Sequence, residues 1–263
     1  MLSAVITSYN NAATLDRCLA SVAFADEILL LDSFSDDASL EIAEQHQAMI
    51  AQQRFAGFGP QKQRAVDLAL HDWILLLDAD EALSVAAQTE ITALRDQQQL
   101  QGPGYRLRRR EWLAWREPVE QHGRWQGALV RLTDHLRLFD RRQVRLSAHP
   151  VHAAPVTTKR TPLLRHELLH WGDAPFARRL EKQQRYAQLL ASAEPQQVHY
   201  QSASKRLFSP VVALLRDLLL RRYLLDGALG WRAAWCSLQC SRIRATACGQ
   251  ASQQHAVESE SKI

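Results

Sequence analysis

The sequence predicts an α/β protein, with a mostly parallel sheet flanked by helices and a helical extension at the C-terminal end. Three observations predict it. Short apolar runs alternate with helix-like stretches through the first hundred residues, as in chained βαβ units. Polar turns rich in acidic residues directly follow the second and fourth of these runs. The alternation stops at Gly102-Pro103-Gly104, and beyond about residue 170 the periodicity is helical.

The elements follow in order. Ala4 to Thr7 is the first strand and Asn11 to Ala23 the first helix. Glu27 to Leu31 and Asp37 to His46 are the second pair, and Ala48 to Gln52 and Pro60 to Leu70 the third. Pro60 is placed at the first helical position, where a missing N–H costs nothing. Trp73 to Leu77 is apolar throughout, as a strand covered on both faces must be. Ser84 is a cap for a helix reaching about Gln99. Residues 1–104 thus form one half of the main domain. Residues 105–170 form the other half, with strand candidates at Tyr105 to Arg110 and Leu136 to Phe139. Residues 171–248 form the extension, with helices from Asp173-Ala174-Pro175 to about Ala193, from Ser209-Pro210 to about Asp226, and from Gly230. Residues 249–263 have the composition of a disordered tail.

At 263 residues and 46% apolar composition the chain can bury a substantial core. Its net charge of +4 hides an asymmetry: 5 basic and 15 acidic residues up to Gly104, then 27 basic and 13 acidic. An acidic half suits a divalent cation, and a basic half suits an anionic partner. No nucleic-acid motif accompanies the basic residues, so nucleic acid is not the expected anion. Cys18, Cys236, Cys240 and Cys248 form no C-x-x-C pair and have no histidine at zinc-finger spacing, which fits small buried residues in a reducing cytoplasm. The chain begins in a strand-like run rather than a signal peptide, and no apolar run reaches the ~18 residues of a membrane span. The expected location is the cytoplasm. The Ser209 to Asp226 segment is so rich in Leu and Val, with arginines interspersed, that it reads equally as a packed core helix or as one lying at a membrane surface.

Asp78-Ala79-Asp80-Glu81 ends the fourth strand, so its carboxylates emerge at the carboxyl edge of the sheet, where α/β proteins bind ligands. Two carboxylates separated by one residue can share a hard cation, which can neutralise a diphosphate. The same edge carries Thr7-Ser8-Tyr9-Asn10 and Asp32-Ser33-Phe34-Ser35-Asp36-Asp37. Tyr9 can stack on a base, and Asp32 can accept from a nucleobase N–H or a ribose hydroxyl. Each loop alone is a turn; the joint arrangement predicts a nucleotide site.

Ala4 to Asn10, Ala25-Asp26-Glu27-Ile28 through Asp32-Ser33, Gly57-Phe58-Gly59-Pro60-Gln61-Lys62 and Trp73 through Glu81 together resemble family 2 glycosyltransferases, most nearly the lipopolysaccharide core glucosyltransferase type. The resemblance covers roughly Leu2 to His152 and extends loosely into the C-terminal helices. It implies a GT-A-like, Rossmann-type fold in which residues 1–104 bind a nucleoside-diphosphate sugar, foremost a UDP-sugar. It also implies a divalent metal, Mn²⁺ or Mg²⁺, and inversion at the anomeric carbon. By position, Thr7, Tyr9, Asp32, Ser33, Lys62 and Asp78 would contact the donor, and Asp78 and Asp80 the metal. Lys62 reads equally as a solvated lysine at a helix start.

The implied reaction moves a sugar to a lipopolysaccharide-core or other lipid-linked acceptor, with the protein peripheral on the inner face of the cytoplasmic membrane. Val151-His152-Ala153 departs from the subgroup, where a glutamate commonly follows the histidine. His152 becomes the candidate general base, with Glu117, Glu120, His122 and Asp140 as alternatives. His122-Gly123-Arg124-Trp125 and Trp112-x-x-Trp115 resemble acceptor-side loops, and the arginines from Arg106 to Arg137 suit a phosphorylated acceptor. Two further readings stay open: transfer to a polyprenyl phosphate, and a nucleotide-sugar-binding protein without catalysis.

Overall fold

The computed structural model describes residues 1–112, 119–121, 124–126, 130–147, 153–171, 203–221 and 223–260, together with Leu180, Gln184 and Ala187, which are helical. The expected helix from Asp173 to Ala193 lies, apart from those three residues, outside the described residues. The chain forms two compact units, Met1–Glu111 with Val130–Gly172, and Trp112–Leu129 with Asp173–Ile263. The stretches 1–104 and 105–170, predicted as two halves, are therefore joined for the most part in one unit.

The first unit is built on β1 (Leu2–Ser8), β2 (Glu27–Asp32), β3 (Met49–Gln52), β4 (Trp73–Asp78) and β5 (Glu81–Leu83), with α1 (Ala12–Ala20), α2 (Ser39–Gln45), α3 (Phe58–Leu68) and α4 (Val85–Asp96). Strands β6 (Gly104–Trp112), β9 (Val130–Asp140) and β12 (Leu163–Trp171) complete an eight-stranded sheet in the order β3-β2-β1-β4-β9-β6-β12-β5. The minor strands are β7 (Val119–Gln121) paired with β8 (Arg124–Gln126), and β10 (Arg145–Leu146) paired with β11 (Pro155–Val156). The β3-β2-β1-β4 block is parallel, as the alternation predicts; β9 joins β4 antiparallel, and β5 joins β12 antiparallel.

Side chains alternate across a strand, so each central strand feeds two cores. Leu2, Ala4 and Ile6 pack with Leu15 and Leu19 of α1 on one side, while Val5 packs with Ala65 and Val66 of α3 on the other. This double cover explains why Ile74 to Leu77 carries no polar residue. Ser84 caps α4 as predicted, its hydroxyl accepting from Ala87 N at 3.2 Å. Helix α3 starts two residues before Pro60, which still lies among the first four N–H positions that need no helical partner. Gly104 is required by close approach: a Cβ there would sit against the Leu138 carbonyl and 2.8 Å from Phe139 Cα.

The second unit contains a helix over Ala203–Leu215, a π-helical turn over Arg216–Leu220, a 3-10 turn over Tyr223–Asp226 and a helix over Gly227–Glu260. Pro210 lies inside the first helix rather than opening it, and the stretch predicted as a disordered tail is helical through Glu260. The prediction failed at Pro210 because proline removes one helical hydrogen bond, a loss that a packed helix can absorb. Among the described residues no helix is long and apolar enough to cross a membrane.

Candidate active site

Strand register brings the predicted loops together. Ser8 pairs with Asp32 across β1 and β2, and Thr7 pairs with Asp78 across β1 and β4. Adjacent strands are about 4.8 Å apart, so the three turns share one sheet edge.

The first two turns are tied to each other by side chains. Asn10 Nδ2 donates to Asp36 at 2.7 Å, Asp36 N donates to Asn10 Oδ1 at 3.0 Å, and Asn10 N donates to the Ser35 hydroxyl at 2.9 Å. Asn10 and Phe34 adopt left-handed backbone conformations, with φ of 54° and 62°, which sharpens both turns. Asp32 is fully buried, and its carboxylate accepts from Ser35 N at 2.8 Å and Ser35 Oγ at 2.5 Å. It thus holds the turn as well as facing the edge. Ser33 Oγ accepts from the buried Gln61 at 3.1 Å, and Tyr9 is half exposed.

The Asp78-Ala79-Asp80-Glu81 turn is surrounded by cations. Lys62 donates to Asp78 Oδ1, while Arg137 donates to Asp78 Oδ2 at 2.8 Å and to Glu81 at 2.5 Å. Arg109 donates to Glu81 at 3.2 Å. Burial pushes the Asp78 carboxyl up, but Lys62 and Arg137 outweigh it and hold it well below the usual range. Lys62 is buried and ion-paired, which excludes the solvated-lysine reading.

His170 Nε2 lies 3.3 Å from Asp80 Oδ2, and its Nδ1 lies 3.8 Å from Glu111. Burial pulls its pKa down, yet Asp80 and Glu81 raise it above the ordinary histidine value. The placement follows from pairing, since His170 on β12 is opposite Glu81 on β5. Cys18 lies beneath the turn, its thiol directed at the Asp78 carbonyl at 3.6 Å. Burial, then Glu81, Asp80 and Asp78, push that thiol up, which makes it an inert packing residue.

Asp78 and Asp80 are expected from sequence as joint metal ligands, and the geometry separates them. Both Asp78 oxygens are taken by cations, whereas Asp80 faces an imidazole. Among the described residues no group of three metal-ligating side chains converges. Asp80 and His170 are of the ligand types that would hold a divalent cation.

His152, the candidate base, lies outside the described residues, as do Glu117, His122 and Trp115. Asp140 is removed from consideration: it pairs with Trp73 at the start of β4, the opposite edge of the sheet from Asp78, and is bound by Arg142. Four arginines of the expected patch are engaged within the protein. Arg108 pairs with Asp134, Arg110 with Glu167, and Arg109 and Arg137 with Glu81. These charges neutralise the protein's own carboxylates. Sequence reading missed His170, Arg109 and Arg137 as members of the site because they lie 29 or more residues from Asp80 and no local motif marks them.

Residues 3–117 match the family described as Glycosyl transferase family 2. An uncharacterised glycosyltransferase of Rickettsia felis is 42% identical over 91 residues, 34% of this chain and 32% of that protein. The match therefore spans about a third of that relative. The lipopolysaccharide core biosynthesis glycosyltransferase LpsC of Rhizobium meliloti is 26% identical over 225 residues, 82% of this chain and 79% of that one. Among solved structures, S. aureus TarS 1-349 aligns with a TM-score of 0.46 at 13% identity, covering 96% of this chain and 91% of that one.

Proposed function

We propose, on the premise that residues 3–117 are a family 2 glycosyltransferase domain, that this protein transfers a sugar from a nucleoside-diphosphate sugar to a lipid-linked glycan acceptor with inversion at the anomeric carbon. A UDP-sugar is the foremost donor. The observation that carries the reading is the register of Thr7 with Asp78 and of Ser8 with Asp32, which gathers a stacking tyrosine, a buried carboxylate and an acidic turn at one edge. The likeness to LpsC, a lipopolysaccharide core biosynthesis glycosyltransferase, supports a lipopolysaccharide-core acceptor.

In this reading Tyr9 stacks on the base, while Asp32, with Thr7 and Ser33 beside it, faces the nucleoside. Asp80 and His170 would hold Mn²⁺ or Mg²⁺, and the ion would supply Lewis-acid stabilisation for the departing diphosphate. Lys62 and Arg137 keep Asp78 ionised and the turn rigid, so that Asp80 is presented without rearrangement. The acceptor oxygen attacks the anomeric carbon from the face opposite the diphosphate, and His152 is the candidate for its proton.

The test is a thermal-shift screen of nucleotide sugars with and without Mn²⁺, followed by donor turnover, since a ligand stabilises according to its affinity and concentration. Metal-dependent stabilisation by one donor, with turnover lost in Asp80→Ala and metal response weakened in His170→Ala, is expected. Donor binding with no turnover across acceptors would instead support a binding protein, and turnover onto polyprenyl phosphate alone would favour that acceptor.

A further inference from the structure

Among its described residues the second unit exposes an apolar stripe. Leu207, Phe208, Val211, Val212 and Leu215 recur at helical spacing on one face of the Ala203–Leu215 helix and are all largely exposed. Leu219 and Leu220 continue the exposure through the π-helical turn, Leu220 at 80%. On the following helix the opposite behaviour marks the inner face: Ala233, Ala234, Cys236 and Cys240 are buried, while Trp231 and Trp235, one turn apart, are half exposed beside the exposed Arg232. Scattered apolar residues need no explanation, but a continuous stripe of this kind does.

Charge selects the occupant. Residues 203–244 contain 8 Lys and Arg against 2 Asp and Glu. One of those acids, Asp217, is turned inward and bound by Arg216 at 2.9 Å and by Arg221 at 3.0 Å. The apolar stripe is therefore accompanied by an excess of basic residues, of which Arg216, Arg232 and Arg242 are exposed, Arg232 beside Trp231. A second copy would set like charge against like charge across the contact. An anionic bilayer accepts all three features: alkyl side chains enter the acyl boundary, tryptophans lie at headgroup depth, and arginines reach phosphates. No described helix can cross the bilayer, so the contact is in the plane of the surface.

We infer that the Ala203–Leu215 helix and the turns after it dock this protein on an anionic lipid surface. The inference deepens the lipid-linked-acceptor reading and rests on it for its sense, while its evidence is independent of the sheet-edge site. The test is flotation of the full chain with phosphatidylglycerol-containing vesicles, against phosphatidylcholine alone, at low and high salt. Phe208→Ser/Val212→Ser is the variant, since both side chains are about 60% exposed and their loss should leave the fold intact. The expected result is salt-sensitive binding to the anionic vesicles that weakens by roughly tenfold or more in the variant, about what one apolar side chain gives on leaving water. Circular dichroism and the thermal shift by nucleotide sugar should not change. No flotation, flotation unaltered by the variant, or a dimer in light scattering that the variant dissociates would each overturn the inference. Flotation without any nucleotide-sugar response would keep the surface and sink the transfer reading, and the reverse result would do the opposite.

Discussion

Replacing Arg137 with Met isolates what holds the acidic turn together. Arg137 is 5% exposed, and a single nitrogen of its guanidinium bonds both Asp78 and Glu81. Methionine keeps the alkyl volume but leaves Glu81, which is 1% exposed, with Arg109 as its remaining cation, and Asp78 with Lys62. Breaking a buried ion pair from one side costs about 3 to 5 kcal/mol, because the partner's desolvation is no longer offset. Two carboxylates are exposed to that loss, but each retains one cation, so the lower end, about 3 kcal/mol, is the expectation. For a unit of this size that is roughly a 6 to 12 °C fall in Tm. Chemical denaturation of Arg137→Met measures it, and Arg137→Met/Glu81→Gln should recover a part by removing one of the stranded charges. A loss under about 1 kcal/mol in the single variant would refute the reasoning, since it would mean that solvent already screens the cluster.

Two further expectations concern the same unit. Gly104→Ala forces a Cβ onto the backbone of Leu138 and Phe139, which cannot retreat as a side chain could. A loss of about 1 to 3 kcal/mol, read from a lowered urea midpoint, is expected, and an unchanged midpoint would show that β6 and β9 can separate freely. His135 is pushed down to about 3 by burial and then by Arg137 and Arg109. Its folded pKa lies below the unfolded value of about 6.5, so the unfolded chain binds the extra proton first. Stability contributed by His135 should therefore fall as pH drops from about 6.5 toward 3, and His135→Asn should flatten that slope in denaturation series. An identical slope in the variant would assign the acid sensitivity to other groups.

Much of the first unit was readable from the chain. Apolar runs such as Ile74 to Leu77 are local, their length and lack of polar residues require burial on both faces, and Ser84 announces its helix by one side chain. The C-terminal unit was less readable, because Pro210 sits inside a helix against its local preference, and the residues after Gly249, whose polarity predicts disorder, also carry the helix formers Ala, Gln and Glu.

The sequence by itself determined the parallel block, the acidic turn at the carboxyl end of β4 and the loops that flank it, since each depends on neighbours within a few residues. Only the tertiary structure decided which carboxylate is which. Strand pairing carried Arg137 onto Asp78 and His170 beside Asp80, and helix α3 carried Lys62 to Asp78, so two acids alike in sequence became a neutralised anchor and a candidate metal ligand. Charge interactions act through space over a few ångströms, and residues 62, 137 and 170 reach residues 78 and 80 only when the sheet has formed.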